Sequence, residues 1–306
     1  METLQNNKDE CRKTALFGTG GNPAAFHDAG YEKTPDMMKW LSERHLDSYE
    51  YQAGRGLSLN KTTTKAIADS ASEYNIKLSL HAPYYIALAS LDEKIRLNSV
   101  GYIKQSVKAA EAMGAYLIVI HPGGFAKLER GEAFKLACDT ISKGLEELYK
   151  TGLTNIRLGL ETMGKENQLG TLDDIIELCK IDAMLYPVVD FGHMYARSLG
   201  EKFIGCDDYK RVFDEIGENL SDNHAKYLHC HFSKIEYTPK GEKKHLTFES
   251  KEFGPGFEPL GKVLAENNLY PNIICESDGT MDIDAGYMKQ VYLDEINQNL
   301  NKNERE

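Results

Sequence analysis

The chain has 306 residues, of which 41% are hydrophobic and 27% charged, and its formal net charge is −11. This length supports one large domain or two ordinary ones, and the composition is that of an ordinary globular protein. No apolar run approaches the roughly 20 residues that a membrane span needs, and the polar first 14 residues do not resemble a signal peptide. We therefore expect a cytoplasmic protein without a membrane partner.

The negative charge bears on nucleic acid as a substrate. Proteins that bind nucleic acid usually have a basic surface, so the charge taken alone argues against this class. The count omits bound metal ions, however, and two or three divalent ions would add about +4 to +6 where a phosphate would lie. A nucleic-acid substrate therefore stays open.

The six cysteines form no CxxC pair. Cys179, Cys230 and Cys275 lie in apolar runs, whereas Cys11, Cys138 and Cys206 lie elsewhere. This pattern predicts reduced, mostly buried thiols rather than a disulfide framework.

Eight short runs that are rich in apolar and β-branched residues predict buried strands. In chain order they cover residues 14–18, 47–52, 76–82, 116–122, 155–161, 186–192, 226–232 and 272–277. The spacing between successive runs leaves room for a helix and two loops, as in a (β/α)₈ barrel.

Helix signals occupy the segments between these runs. Thr34 is a candidate N-cap before a proline, and two pairs, Ser90 with Glu93 and Thr171 with Asp174, have capping-box spacing. Alternating strands and helices predict a parallel sheet, and eight such units without a nucleotide-binding glycine motif favour a closed TIM barrel. No linker divides the chain, so we expect a single domain over residues 1–306, with frayed tails at 1–13 and 300–306.

Six consecutive predicted strands end in groups that can bind a metal ion. These are His81, His121, Glu161, Asp190 with His193, His229 with His231, and Glu276. In a barrel the C-terminal strand ends form the active site. A single histidine there is more often a hydrogen-bonded core residue, but burying so many imidazoles and carboxylates is costly unless they are paired or coordinated. The pattern therefore predicts a metal site, because imidazole and carboxylate are ligands of zinc and manganese.

Several motifs in this order resemble those of the endonuclease IV family, the (β/α)₈ apurinic/apyrimidinic endonucleases of the xylose isomerase-like superfamily. The motifs are HAPYYIALAS (81–90), IHPGG (120–124), LETMG (160–164), LGTLDDIIELC (169–179), VVDFGHMYAR (188–197), LHCHFSK (228–234), FGPGFEPL (253–260) and ICES (274–277). The resemblance extends from about residue 76 to residue 280 and covers most of the predicted barrel.

This resemblance implies a centre of two or three zinc ions, with Mn²⁺ as the alternative metal. The implied ligands of the first two ions are His81, His121, Glu161, Asp190, His229 and Glu276. Glu161 would bridge the two ions, and Glu161 and Glu276 would be the catalytic carboxylates. The implied activity is hydrolysis of the phosphodiester of DNA at abasic sites, a DNA-repair reaction, by a monomer in which Tyr84 contacts the substrate.

The third ion is where the chain departs from the family. His193 and His245 match two of its ligands, but Lys243 stands where the family has an aspartate, and an ammonium group cannot bind a cation. Glu242, through a register shift of one residue, or His231 could take that place. His231 itself is either an added ligand or phosphate contact, or a solvated histidine at the barrel mouth. The nearby lysines 234, 240, 243 and 244 form either a phosphate-facing patch or a solvated charged loop.

A sugar isomerase or epimerase of the same superfamily is the alternative function. Its smaller ligand set would be Glu161, Asp190, His229 and Glu276 around one Mn²⁺ or similar ion, with Glu161 and Glu276 as the acid/base pair. The acidic net charge fits a small neutral sugar. We favour the endonuclease, because a single-metal sugar enzyme does not need His81 and His121. A non-catalytic protein that binds metal or a ligand is the third alternative, but it would have little reason to keep so many costly charges.

Overall fold

The computed structural model describes residues 12–303, except residues 55, 58–59 and 126–127. Cys11, most of the predicted N-terminal tail and residues 304–306 therefore lie outside the described residues. In the described part of the chain, no helix is long and apolar enough to span a membrane.

The eight predicted strands all form and close into a parallel barrel. Their bounds are β1 Leu16–Gly20, β2 Ser48–Gln52, β3 Lys77–His81, β4 Leu117–Ile120, β5 Arg157–Glu161, β6 Leu185–Asp190, β7 His229–Phe232 and β10 Asn272–Cys275. Around the barrel they follow the order β1-β10-β7-β6-β5-β4-β3-β2. The chain is thus a (β/α)₈ TIM barrel, as the alternating pattern predicts.

Helices surround the barrel. Their bounds are α1 Ala24–Asp28, α2 Thr34–Glu43, α3 Lys61–Tyr74, α4 Glu93–Met113, α5 Arg130–Thr151, α6 Leu172–Cys179, α7 Phe191–Arg197, α8 Cys206–Asn219, α9 Asp222–Lys226, α10 Glu258–Glu266 and α11 Met281–Asn303. Because α11 continues to Asn303, residues 300–303 are helical, although the sequence analysis assigns them to a tail.

The helix starts agree only in part with the sequence signals. The capping box of Thr171 and Asp174 forms at the start of α6. Thr34 is instead the first residue of α2, after the N-cap Lys33. The predicted box of Ser90 also does not form, because the Asp92 side chain accepts from the backbone N–H of Lys94, and α4 therefore begins at Glu93.

The barrel interior is more polar than the layer between strands and helices. Along β3, Leu78 and Leu80 belong to the main apolar core. Side chains alternate along a strand, so Ser79 and His81 face the barrel axis, where the Ser79 hydroxyl donates a 2.9 Å hydrogen bond to Glu50. Along this strand the sequence therefore places the buried polar groups inside the barrel.

An antiparallel hairpin follows the seventh barrel strand and is not predicted by the sequence analysis. It consists of β8 Lys234–Thr238 and β9 Gly241–Leu246. Its backbone is bound to the loop after β5, where the N–H of Glu242 donates to the carbonyl of Gly164 at 3.1 Å. Gly241 has φ +90°, and a Cβ there would lie 2.2 Å from that same carbonyl oxygen. The hairpin can therefore dock this closely only with glycine at 241.

Candidate metal centre

The predicted ligands converge at the C-terminal end of the barrel. His81, Glu161 and Asp190 are the last residues of β3, β5 and β6. His121 directly follows β4, and Glu276 directly follows β10. Because the barrel strands are parallel, all these positions lie at one end, where the side chains contribute to three clusters whose ligand atoms lie within 4.8 Å of one another. A fourth group with the same spacing, Glu50, His229 and His231, lies deeper in the barrel.

The first cluster contains His81, His121 and Glu161. Oε2 of Glu161 lies 2.8 Å from Nε2 of His121 and 3.4 Å from Nε2 of His81. The Nδ1 atom of His81 lies 2.9 Å from the carbonyl oxygen of Ala82, to which an Nδ1–H can donate. This bond leaves the Nε2 lone pair of His81 facing the cluster, which is the tautomer that a metal ion requires.

The second cluster contains Glu161, Asp190, His231 and Glu276. Nδ1 of His231 lies 3.0 Å from Oε1 of Glu161 and 3.4 Å from Oε2 of Glu276. Glu161 therefore directs one oxygen to each of the first two clusters. This is the arrangement of a carboxylate that bridges two ions.

The structure places His229 outside the second cluster, in the deeper group with Glu50 and His231. His229 and His231 are on the same side of β7, but His229 pairs with Val188, two residues before Asp190. A strand rises about 3.3 Å per residue, so the ring of His229 lies one layer deeper in the barrel. There its Nε2 contacts Glu50 at 3.0 Å, and it is His231 that reaches Glu161, Asp190 and Glu276.

The third cluster contains His193, Glu242 and His245, with Nε2 of His193 3.5 Å from Oε2 of Glu242. The register of the hairpin slips between Glu236 and Tyr237, so that Lys243 is an extra, bulged residue. A bulge brings residues three apart to the same side of a strand. Glu242 and His245 therefore both face His193. This is the alternative in which Glu242, through a register shift, takes the ligand position that Lys243 cannot fill.

Three of the four lysines of the predicted patch, Lys234, Lys243 and Lys244, have partners within the protein. Lys243 and Lys244 are ion-paired with Glu236. Lys234 donates to the backbone carbonyls of Phe248 and Ser250. Of the two alternatives, the structure thus favours a charged surface loop.

A cavity of about 300 Å³ opens above the clusters. Besides cluster residues it is lined by Gln52, Gly54, Ala82, Tyr84, Met163, Lys165 and Gln168. Tyr84 lies at the rim with 56% of its surface exposed. Among the described residues, Lys165 is the one lysine or arginine that lines the cavity, and the sequence motifs do not identify it.

The hydrogen bonding of the buried carboxylates tests whether metal ions fit. Glu161 and Asp190 are completely buried, yet Oε2 of Glu161 and Oδ2 of Asp190 accept no hydrogen bond. Nε2 of His121 lies close to Oε2 of Glu161, but its direction does not fit a hydrogen bond. This is the geometry expected of two ligand atoms that both point at a metal ion between them. Unpaired buried carboxylate oxygens are costly, and a divalent cation at each cluster would satisfy them.

The electrostatics of the metal-free site support this fit. Burial lowers the pKa of His81, but the Glu161 carboxylate outweighs burial and raises that pKa to about 9. Asp190 has the same effect on the buried His193, whose pKa is also about 9. Burial raises the pKa of Glu276, but the charge of His231 outweighs it and lowers that pKa to about 2. Protons on the imidazoles thus take the place that metal ions would have.

Glu50 is the site residue that the sequence analysis missed. It is completely buried in β2, with Oε2 at 3.0 Å from Nε2 of His229 and Oε1 at 3.0 Å from Nε2 of His231. Burial raises its pKa, but the two imidazoles outweigh burial and hold the pKa well below its usual range. The available signal was a carboxylate in the middle of the predicted strand 47–52, which also begins with Asp47.

Comparisons with known proteins agree with this architecture. The model of the xylose isomerase-like TIM barrel family matches residues 38–291. An uncharacterized protein of Methanocaldococcus jannaschii is 29% identical over 280 residues, which cover 90% of this chain and 96% of the relative. A probable endonuclease 4 of Staphylococcus carnosus is 26% identical over 230 residues, which cover 72% of this chain and 73% of the relative.

Two solved structures have a similar fold. A D-tagatose 3-epimerase-like protein superposes with a TM-score of 0.69 at 20% identity, covering 93% of this chain and 99% of its own. Endonuclease IV from Thermus thermophilus gives a TM-score of 0.68 at 16% identity, covering 92% of this chain and 99% of its own. At these identities the likeness establishes the fold alone. Since the family model covers most of the sequence and the eight-stranded barrel is formed, the chain belongs to the xylose isomerase-like TIM barrel family.

Proposed function

We propose that this protein is a zinc-dependent phosphodiesterase that cleaves DNA at abasic sites. The observation that carries the proposal is the set of three ligand clusters, of which the first two share Glu161. The 26% identity with a probable endonuclease 4 supports the same function.

The number of clusters favours a phosphodiester over a sugar. A sugar enzyme with one ion needs the second cluster alone, and it would have no use for the first and third. A phosphodiester has several oxygens that develop charge during hydrolysis, and ions about 3.5–4 Å apart stabilise both the attacking and the leaving oxygen. Bound ions would supply this charge stabilisation and lower the pKa of water.

The other groups at the mouth have separate tasks in this proposal. Tyr84, exposed at the rim, contacts the opened sugar of the abasic nucleotide. Lys165 neutralises a phosphate of the bound strand. Glu276 is partly accessible, with 16% of its side chain exposed, so among the second-cluster carboxylates it is the one that substrate can reach. Glu161 is buried below the substrate and belongs to both the first and the second cluster, so it fixes their relative position.

The net charge of −11 is compatible with a DNA substrate once the site is considered. Five carboxylates belong to the clusters or their support, namely Glu50, Glu161, Asp190, Glu242 and Glu276. Three divalent ions would contribute about +6 at the place where a phosphate binds. The local charge of the loaded centre therefore favours an anionic substrate.

The second candidate function is a sugar isomerase or epimerase. It is favoured by the completeness of the second cluster, in which Glu161 and Glu276 both approach His231 and could serve as acid and base. The small cavity of about 300 Å³ also suits a monosaccharide. In this case one ion per chain would be sufficient.

Elemental analysis of the as-purified protein, combined with two activity assays, separates the candidates. The phosphodiesterase predicts close to three ions per chain, cleavage of a duplex with one abasic site, and no cleavage of the matched intact duplex. His121→Ala should abolish that cleavage, because the first cluster loses a ligand. One ion per chain, no cleavage, and epimerisation of a ketose by both the wild type and His121→Ala would instead establish the sugar enzyme.

A further inference from the structure

In four of the ligand histidines, His81, His193, His231 and His245, the ring nitrogen away from the cluster has a partner of its own. In His81 and His193, Nδ1 lies 2.9 Å from a backbone carbonyl oxygen, that of Ala82 or Thr162. In His245, Nδ1 lies 2.8 Å from the hydroxyl of Ser233. These three rings therefore present Nε2 to their clusters. A partner on the far nitrogen fixes the tautomer and orientation of a metal-binding imidazole.

His231 is oriented the opposite way. Its Nδ1 faces Glu161 and Glu276 in the second cluster and, without a metal ion, is hydrogen-bonded to Oε1 of Glu161 at 3.0 Å, the contact that a bound ion would replace. Its Nε2 faces away from the cluster and lies 3.0 Å from Oε1 of Glu50. In the metal-free site this contact is an ion pair whose angle does not meet hydrogen-bond geometry. Among the four ligand histidines with a described partner on the far nitrogen, His231 is the one whose nearest partner there is a carboxylate. Nδ1 of His193 also lies 3.4 Å from Oδ2 of Asp190 and 3.5 Å from Oε1 of Glu161, but the carbonyl oxygen of Thr162 is nearer, at 2.9 Å.

We infer that Glu50 is a positioning residue for the second metal ion: it holds the proton of His231 on Nε2 and so makes Nδ1 the ligand atom. This inference rests on the proposed metal centre. It assigns to Glu50, which lies deeper in the barrel than the second cluster, the orientation of one of the ligands. A carboxylate partner makes the imidazole a stronger base than a carbonyl partner does. Removal of the carboxylate should therefore weaken one ion selectively.

The orientation of Glu50 is itself fixed. Its Oε2 accepts from the hydroxyl of Ser79 at 2.9 Å and from Nε2 of His229 at 3.0 Å. On the far side of His229, Nδ1 lies 2.6 Å from the hydroxyl of Tyr116 and 3.3 Å from the side-chain amide nitrogen of Asn272. An amide N–H can only donate, so Nδ1 is the acceptor and Nε2 carries the proton directed at Glu50.

This chain of contacts explains why two histidines occur at 229 and 231. His231 belongs to the metal centre, and His229 supports the carboxylate that orients it. Both rings and Glu50 are completely buried. Burying a carboxylate is costly, and substrate cannot reach Glu50. Its contacts with His229 and His231 are therefore the role that the structure offers for it.

The variant Glu50→Gln tests the inference, because it keeps the shape of the side chain and removes its charge. Zinc affinity should be measured by competition with a chromogenic chelator on the full chain. We expect one equivalent to bind about 10–100-fold more weakly, the usual effect of losing such a partner, while the other equivalents bind as in the wild type. Asp282→Asn is the matched control, since this buried carboxylate contacts Trp40 and Arg44 away from the centre. It should lower the melting temperature without changing zinc affinity.

Long-range ¹H–¹⁵N correlation spectra of zinc-loaded wild-type protein give a second readout that does not need the variant to fold. We expect His231 to be protonated on Nε2 and zinc-bound through Nδ1. Zinc on Nε2 of His231, or unchanged affinity of every equivalent in Glu50→Gln, would overturn the inference and leave the proposed function intact. A wild-type chain that binds no zinc, Mn²⁺ or Mg²⁺ would overturn both.

Discussion

Asp190 and His231 lie directly opposite each other in the neighbouring strands β6 and β7. This register puts the imidazole at the level of the carboxylates of the second cluster. His229, opposite Val188, lies too deep to join them. The pairing of two strands, rather than the identity of either histidine, thus decides which one lies in the second cluster.

The first prediction compares the two histidines directly. His231→Ala should lose about one metal equivalent per chain and reduce cleavage of abasic DNA by at least ~100-fold, because the second ion loses its nitrogen ligand. His229→Gln should keep the full metal complement, since a glutamine amide can still donate to Glu50. Elemental analysis of both purified variants measures the difference. Loss of an ion from His229→Gln with retention in His231→Ala would mean that the register assignment is wrong.

The sequence predicts the barrel and most of the candidate ligands, but not this depth. The eight strands are predictable because each is a short apolar run between helix signals, and the candidate ligands are predictable because they end those runs. A period of two indicates that residues 229 and 231 share a face. It contains no information on how far β7 is staggered against β6, which is a property of the closed barrel.

Glu50 and Glu242 were difficult to assign for a related reason. Glu50 lies within its strand rather than at the end, and its partners are about 180 residues away in the sequence. Glu242 reaches the third cluster only because a bulge makes Lys243 an extra residue. Such a bulge depends on how the hairpin pairs and docks, not on the local sequence pattern.

The second prediction uses the adjacent residues of that bulge. Glu242→Ala should lose the ion of the third cluster and keep the other two, because His193 and His245 remain without a carboxylate. Lys243→Ala should keep all ions, since the Lys243 ammonium group pairs with Glu236 on the outside. Metal content per chain, measured after dialysis against the same low zinc concentration, gives the comparison. Equal loss of metal in the two variants would contradict the bulged register.

The third prediction concerns pH. Without metal, His81 and His193 have pKa values of about 9, above the ordinary 6.5. A raised folded-state pKa stabilises the fold fully below pH 6.5, and this stabilisation is lost as the pH rises through 9. Metal binding requires neutral imidazoles and releases their protons. Over this pH interval we therefore expect metal affinity to rise while the metal-free fold becomes less stable.

Two measurements test these opposite changes in metal affinity and in the stability of the metal-free fold. Thermal melts of chelator-treated protein should give a falling melting temperature over that pH interval. Titration calorimetry with zinc, in buffers of different ionisation enthalpy, should reveal protons released on binding at neutral pH. His193→Gln should reduce the number of released protons, because one protonated imidazole is removed. Zinc binding at neutral pH without proton release would contradict the assignment of charged histidines in the metal-free site.

The final prediction concerns Lys165, which lines the cavity at the mouth. If its ammonium group neutralises one phosphate of the bound strand, Lys165→Ala should weaken binding of abasic DNA and reduce the slope of log affinity against log salt by about one unit. Lys244 is the control, because its ammonium group already pairs with Glu236, so Lys244→Ala should leave the slope near that of the wild type. The salt dependence is the decisive measurement, since a general disturbance of the mouth would weaken binding by a similar factor at every salt concentration. An unchanged slope in Lys165→Ala would mean that Lys165 makes no phosphate contact, and the attraction for DNA would then have to come from the metal ions themselves.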